Sequence, residues 1–313
     1  LPFVLCKIET LAEVYDNVLD SETTEWLHGE CLKAEQSQSD VGFAFPLKQP
    51  LRHSTIEQFL NNLLFELYPD GNGYYVEYWT RNKWVLISAH QDMDEEHEKQ
   101  MQLSGKTRYG DKLIHPETGH VLYLKVGSQV KGPTVVWNET RGGDFSEQSS
   151  EMVIIPAVQG RLTRFQGNAL HAVPRPAGVY WTKRVDSGSH EPEYMRSVIL
   201  FNTWPMNKEK PIGIDISDAI DKDIEMNRFC NKKGQWKDVF IESLSSDPDP
   251  SETSTFKIPL MGDLERRGTE DFVAKLQTQT KAKEAFLEKT KVSSAVVRVE
   301  ANKAWFSFWG YEF

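Results

Sequence analysis

The spacing of apolar residues changes its period twice along the 313 residues of the chain. In Ile8–Leu19 and Ser54–Leu67 apolar positions recur three and four apart, the pattern that puts them on one face of a helix. Ser54 followed by Glu57 forms a capping-box pair at the start of the second run. Pro69-Asp70-Gly71-Asn72-Gly73 is a strong turn signal. From Tyr74 the pattern is that of strands. Tyr74–Trp79, Trp84–Ser88, His120–Val126, Thr134–Trp137, Glu151–Ile155, Arg161–Phe165 and Arg196–Asn202 are short, rich in aromatic and β-branched residues, and divided by Gly, Pro or Asn. Strands in such number without intervening helices predict a sandwich or barrel, not a parallel α/β sheet. After Pro205 helical spacing returns in Ile214–Phe229 and Glu270–Leu287, separated by a Ser-, Asp- and Pro-rich loop, Ser243–Ser254. Ala295–Glu300 and Ala304–Trp309 predict a terminal β-hairpin across Ala301-Asn302-Lys303. The expected plan is a single domain over 1–313, with a helical N-terminal flank (1–70), a β core (71–205) and a C-terminal helical extension ending in the hairpin (206–313).

Composition narrows the class. With 39% hydrophobic and 26% charged residues, the balance is that of a soluble globular protein. No apolar run approaches the roughly 18 residues of a membrane span. The chain begins at Leu1, so a leader is expected to have been trimmed, taking any targeting signal with it. Cys6, Cys31 and Cys230 are widely spaced and odd in number, which disfavours a disulfide framework or thiolate zinc site and points to a reducing, intracellular setting. The net charge of −10 argues against nucleic acid as a partner. Residues 71–205 carry 15 basic and 15 acidic side chains, so the flanks hold the whole acidic excess and the neutral middle can receive an anionic ligand.

The chemistry-bearing signal is His90-Gln91-Asp92 after a strand. It can place an imidazole and a carboxylate on the same side of the chain. A second imidazole would complete a facial set of two His and one carboxylate, which leaves open positions on one face of Fe(II). His97, His115, His120 and His171 are the candidates. His97 sits in a charged run and His115 in a turn-rich segment. His120 opens a strand, and His171 lies between Gly167-Asn168 and Pro174. No His-Glu-x-x-His motif is present, which disfavours a zincin-type protease. The acidic run after Asp92 lacks the alternation and central Gly of a calcium loop.

The downstream series "HVLYLKV", "GPTVVW", "VIIPAVQGRLTRFQGNALHAVPRP" and "RSVILF" resembles the double-stranded β-helix core of 2-oxoglutarate/Fe(II)-dependent dioxygenases, especially the prolyl-4-hydroxylase-like group. The places of that family's motifs are taken by His90 and Asp92, Tyr123-Leu124, Thr134, Pro156, Gly160-Arg161, Phe165, His171 and Arg196. The resemblance implies a mainly β, jelly-roll fold with flanking helices. It also implies Fe(II) held by His90, Asp92 and His171, with His120 as the rival third ligand. Arg196 becomes the anchor for the distal carboxylate of 2-oxoglutarate, a role that suits a planar guanidinium. Arg196 follows His171 by 25 positions, where the family uses about ten, so residues 172–195 read as an inserted loop. Arg184 is therefore a rival anchor. Some relatives carry Ser two residues after the Arg. Here that place is Val198, so Tyr123 or Tyr78 is expected to supply a hydroxyl.

Loops at the open end of such a barrel point to Arg81, Trp84, Asn138, Asn168 and Arg184 for substrate binding. The implied reaction consumes 2-oxoglutarate and O₂, with ascorbate stimulatory, and releases succinate and CO₂. It oxidises a C–H bond by hydroxylation, desaturation or ring closure. Large flanks and the absence of a peptide-binding module favour a small metabolite, with a kainoid-type ring closure as one candidate. A prolyl or peptidyl hydroxylase is the alternative enzyme, and a non-catalytic metal-binding β-helix protein the alternative of another class.

Overall fold

The computed structural model describes residues 11–37, 42–47, 54–68, 73–83, 87–94, 103, 114–127, 133–137, 150–173, 175–176, 195–206, 231–239, 241–243, 253–260, 270–277, 296–301 and 307–309. Two helices precede most of the strands. In α1 (Ser21–Ser37) the first turn is capped by Asp20, whose carboxylate accepts the Thr23 amide at 2.7 Å. In α2 (Thr55–Leu67) the Ser54 hydroxyl accepts the Glu57 amide at 3.3 Å, so the helix starts at its sequence signal. Ile56, Phe59, Leu60, Leu63, Leu64 and Leu67 form its buried stripe.

The strands are β1 (Ala12–Asp16), β2 (Phe43–Pro46), β3 (Tyr74–Lys83), β4 (Ile87–His90), β5 (Thr118–Val126), β6 (Thr134–Trp137), β7 (Ser150–Ile155) and β8 (Leu162–Gln166). They continue with β9 (Leu170–Val173), β10 (Arg175–Pro176), β11 (Met195–Pro205), β12 (Lys237–Asp238), β13 (Ile241–Ser243), β14 (Thr253–Leu260), β15 (Glu270–Gln277), β16 (Val296–Ala301) and β17 (Ser307–Trp309). One sheet runs β12-β1-β8-β5-β11-β3-β2. The other runs β13-β16-β7-β6-β9-β4-β14-β15-β17, with β10 beside β14. From β3 to β11 the chain passes repeatedly between the two sheets, which makes the core a double-stranded β-helix.

Side-chain alternation on the central strands defines two cores. Leu122 and Leu124 of β5 and Ile199 and Phe201 of β11 meet α1 and α2, while Val121, Tyr123 and Val198 fill the space between the sheets. The second group packs on Val136, Val153, Ile155 and Phe165. Arg196 and Ser197 follow the same rule. Ser197 meets His28 of α1 at 2.8 Å, and Arg196 turns inward.

Three sequence expectations are corrected. The helix expected over Ile8–Leu19 is strand β1 where it is described. Val14 enters the inter-sheet core and Tyr15 the helix-side core, an alternation only a strand provides. Glu270–Gln277, expected as helix, is strand β15, because β14 and β17 give it antiparallel partners on both sides. Among the described residues the two terminal segments do not pair with each other as a hairpin. β16 pairs with β7 and β13, and β17 pairs with β15. Ile214–Phe229, residues 177–194 of the expected insertion and 244–252 of the expected loop lie outside the described residues. Ala172 and Val173, at the insertion's start, belong to β9. Among the described residues no helix is long and apolar enough to cross a membrane.

The Pro156-x-x-x-Gly160-Arg161 turn ties β1 to the barrel. Gly160 has φ +74°, and a Cβ there would stand 2.9 Å from the Leu19 carbonyl oxygen, so glycine is required. Arg161, wholly buried, donates from Nε and Nη2 to the two Asp16 oxygens at 2.7 and 3.0 Å, and from Nη1 to the Pro156 carbonyl at 2.9 Å. Asp16→Ala strands a buried guanidinium and is expected to cost about 3 kcal/mol in urea unfolding.

On the helix side, His120 donates from Nδ1 to the Phe201 carbonyl at 3.1 Å and stacks on the Phe201 ring, while Tyr68 Oη lies 3.3 Å from Nε2. Burial, with the nearby Arg164 guanidinium, holds this imidazole well below its usual pKa. The folded state therefore refuses a proton that the unfolded chain accepts near pH 6.5. Stability is fully present above pH 6.5 and falls as the pH drops below it, by up to about 1.4 kcal/mol per pH unit for this group. In urea titrations from pH 7 to 5, His120→Phe is expected to flatten part of that slope.

Candidate metal centre

β4 and β9 are antiparallel neighbours whose register sets His90 directly opposite His171. Their rings lie 4.3 Å apart, centroid to centroid. Asp92, two residues beyond His90, turns back so that Oδ1 lies 3.6 Å from His90 Nε2 and 3.8 Å from His171 Nε2. One donor atom from each of the three falls within 4.8 Å of the others.

The surroundings fix these side chains. His171 Nδ1 donates to the Ala169 carbonyl at 3.1 Å, which leaves the Nε2 lone pair facing Asp92. Phe165 packs on its ring at 4.9 Å. Burial, reinforced by His90, lowers the His171 pKa to about 4, so the ring is a neutral ligand at physiological pH. Burial alone would raise the Asp92 carboxyl, but the adjacent His171 and His90 and a hydrogen bond from Asn202 outweigh it and hold the group well below the usual carboxylate range. His115 Nδ1 donates to the Asp92 carbonyl at 2.7 Å, and the Asp94 amide donates to the Ile114 carbonyl at 2.9 Å. Gln91 donates from Nε2 to the Asn168 carbonyl at 2.6 Å, locking the turn that leads into β9.

The donor set fits a divalent ion. Ligands about 2.1 Å from a metal on one face of an octahedron stand about 3 Å apart. The imidazole–carboxylate separations exceed that by less than 1 Å, within reach of small side-chain rotations.

A second polar cluster lies along the same inner face. Thr134 is two residues before Val136, which stands opposite His171, a displacement of about 7 Å along the strand. Arg196, 1% exposed, donates from Nη2 to Thr134 Oγ1 at 3.2 Å and has its guanidinium carbon 5.2 Å from the centre of the Tyr123 ring. Tyr123 Oη lies 2.6 Å from the same Thr134 hydroxyl. Arg196 has no carboxylate partner among the described residues, and its buried Nε has no hydrogen bond.

The structure thus brings His90, Asp92 and His171 together, and Arg196 together with Tyr123. Tyr78 is corrected. It belongs to the helix-side core, stacks on Phe43 at 5.2 Å and meets Glu57 and Ser54 at 3.4 Å, because its position on β3 faces away from the barrel interior. Arg81 stands opposite Val198 and so shares the inner face. Asn168 exposes its side chain and contributes its carbonyl to Gln91. Trp84, Asn138, Arg184 and the rival ligand His97 lie outside the described residues. His120 is in the helix-side network, and His115 holds the Asp92 backbone, so neither points its ring at the cluster.

Sequence reasoning assigned no site role to Thr134, Asn202 or Glu77. Asn202 donates from Nδ2 to Asp92 Oδ2 at 3.2 Å, and Trp204 Nε1 donates to Glu77 Oε2 at 3.0 Å. Burial pushes the Glu77 carboxyl up to about 7. Hydrogen bonds from Trp204 and Asn202 oppose the rise, and the charges of Asp92 and Asp94 add to it. The signal was a polar residue at an inward position of an otherwise apolar strand: Asn202 in register with Val198 and Leu200.

No protein-family model and no curated protein matches the chain. Among solved structures, a prolyl-4-hydroxylase from Pseudomonas putida aligns at 14% identity and TM-score 0.38, covering 65% of this chain and 90% of that one. HygX from Streptomyces hygroscopicus with iron bound aligns at 12% identity and TM-score 0.35, covering 66% and 93%. An N-substituted L-amino acid dioxygenase from Burkholderia ambifaria AMMD aligns at 14% identity and TM-score 0.32, covering 63% and 87%. In this chain the ordered motifs, a double-stranded β-helix and the convergence of His90, Asp92 and His171 on one inner face occur together.

Proposed function

We propose that the protein is an Fe(II)- and 2-oxoglutarate-dependent oxygenase acting on an unactivated C–H bond of a small metabolite. The observation that carries the reading is the buried Arg196, without a described carboxylate partner, on the inner face that also bears the His90–Asp92–His171 cluster. A buried cation needs an anion. A short dicarboxylate that chelates a metal at one end and meets Arg196 at the other satisfies both sites.

His90, Asp92 and His171 would hold the metal through Nε2, Oδ1 and Nε2. Bound Fe(II) supplies the one-electron and O₂ chemistry that couples conversion of 2-oxoglutarate and O₂ into succinate and CO₂ to transfer of the second oxygen atom to the substrate. The chain's own residues do the rest. Arg196 and Thr134 orient the distal carboxylate, with the Tyr123 hydroxyl fixing Thr134. Val121, Val136, Val153 and Val198 exclude water around them. Arg81, which shares the inner face of β3, is the residue assigned in this reading to a carboxylate on the substrate.

Purified anaerobically, the protein is expected to bind one equivalent of Fe(II) and to develop a weak visible charge-transfer band with 2-oxoglutarate. His90→Ala, Asp92→Ala and His171→Ala should each weaken Fe(II) binding by more than about tenfold. Wild-type Fe(II) affinity in His171→Ala would remove that residue from the site.

Arg196→Ala is expected to leave Fe(II) binding intact. A hydrogen bond to a charged group contributes about 1.5–3 kcal/mol, so the KM for 2-oxoglutarate should rise about ten- to over a hundredfold in a succinate-formation assay. A large effect in Arg184→Ala with none in Arg196→Ala would move the anchor into the 172–195 segment.

A further inference from the structure

We propose that Asn202, held in place by Glu77, is a positioning residue that makes Asp92 a one-oxygen donor and so preserves the coordination position that O₂ requires. The inference rests on reading the cluster as an Fe(II) and 2-oxoglutarate site.

The two oxygens of Asp92 have different surroundings. Oδ1 faces both imidazoles, at 3.6 and 3.8 Å, and Oδ2 accepts a hydrogen bond from Asn202 Nδ2 at 3.2 Å. Asn202 is 2% exposed and sits on β11 opposite Glu77 of β3 and Gly119 of β5. A Cβ on Gly119 would stand 3.4 Å from Asn202 Oδ1 and 2.7 Å from the Phe165 ring, so this glycine leaves room for the amide. Asn202 also hydrogen-bonds to Glu77, which is itself pinned by Trp204 Nε1 at 3.0 Å. Two carboxylates therefore compete for the NH₂ end of one amide. Asp92, held ionised, fixes the amide's orientation, because the amide oxygen has no proton to donate to it.

The consequence lies in counting positions. An ionised carboxylate can offer both oxygens to one metal. With two imidazoles and one carboxylate oxygen, a six-coordinate ion keeps three positions open, enough for a chelating keto acid and O₂. If Oδ2 also coordinated, the keto acid would fill all that remained. Asn202 occupies the Oδ2 lone pair and holds the carboxylate plane, which disfavours that second mode.

The test separates binding of metal and cosubstrate, measured anaerobically on the full chain, from the reaction of the loaded site with O₂. In Asn202→Leu, Fe(II) and 2-oxoglutarate affinity should each stay within about threefold of wild type, because either binding mode of Asp92 leaves two positions for the keto acid. The charge-transfer band should shift, and its decay on admitting O₂ should slow about ten- to a hundredfold. Asn202→Ser, too short to span both carboxylates, should give the same split, and Glu77→Leu the same direction. Glu77→Gln, which keeps an acceptor oxygen for the amide, should restore a near-wild-type band and decay. The proposal is overturned if Asn202→Leu and Asn202→Ser show the band and its decay as wild type does. It is equally overturned if metal or cosubstrate affinity falls together with the O₂ reaction. Wild-type protein that binds neither Fe(II) nor 2-oxoglutarate would instead sink the underlying metal-site reading.

Discussion

Strand β5 is buried on both faces from Thr118 to Leu124, and much of the architecture follows from that constraint. A strand with one wet face can alternate polar and apolar residues. A strand between two packed layers cannot, so each of its side chains must belong to one core or the other. Leu122 and Leu124 are committed to the helices, while Val121 and Tyr123 are committed to the barrel interior. β11 makes the same division, and its pairing with β5 shifts register between Ser197 and Val198. That irregularity lies beside Arg196, where the barrel interior changes from apolar to polar.

The interior therefore tolerates few polar groups, and those present are tied together. Arg196, Thr134 and Tyr123 make one cluster, and Asp92, Asn202, Glu77 and Trp204 make another. Each buried donor or acceptor left unmet costs about 1–3 kcal/mol, more if charged. The first cluster holds a positive charge without a described counter-charge. The second holds two carboxylates, one kept ionised beside the imidazoles and one pushed toward neutrality by burial. Such an arrangement does little for the stability of the ligand-free chain. On the proposed function, it becomes favourable when a cation and a dianion enter.

The β-rich core and the His-x-Asp that begins at the end of β4 were legible in the chain itself, because period-two alternation and turn residues are local properties. So was α2, whose cap and apolar stripe are written within fourteen residues. Local pattern failed where an apolar spacing suits either element. Ala12–Asp16 and Glu270–Gln277 read as helical, but neighbouring strands offered both of them hydrogen-bond partners, and Val14 and Tyr15 divide between two cores as successive residues of a strand do. The His171 strand was hidden because four residues are too few to show a period. Its opposition to His90 depends on β4–β9 pairing across some eighty positions of sequence. Tyr78 and Tyr123 were equal candidates by residue type. Only the face each presents, fixed by register with β11, sends one hydroxyl to Ser54 and Glu57 and the other to Thr134. The sequence by itself determined which residue types were available and which strands would carry them. The tertiary structure decided which oxygen of Asp92 faces the imidazoles, which tyrosine looks inward and which asparagine reaches the carboxylate, because those depend on contacts between strands that lie far apart along the chain.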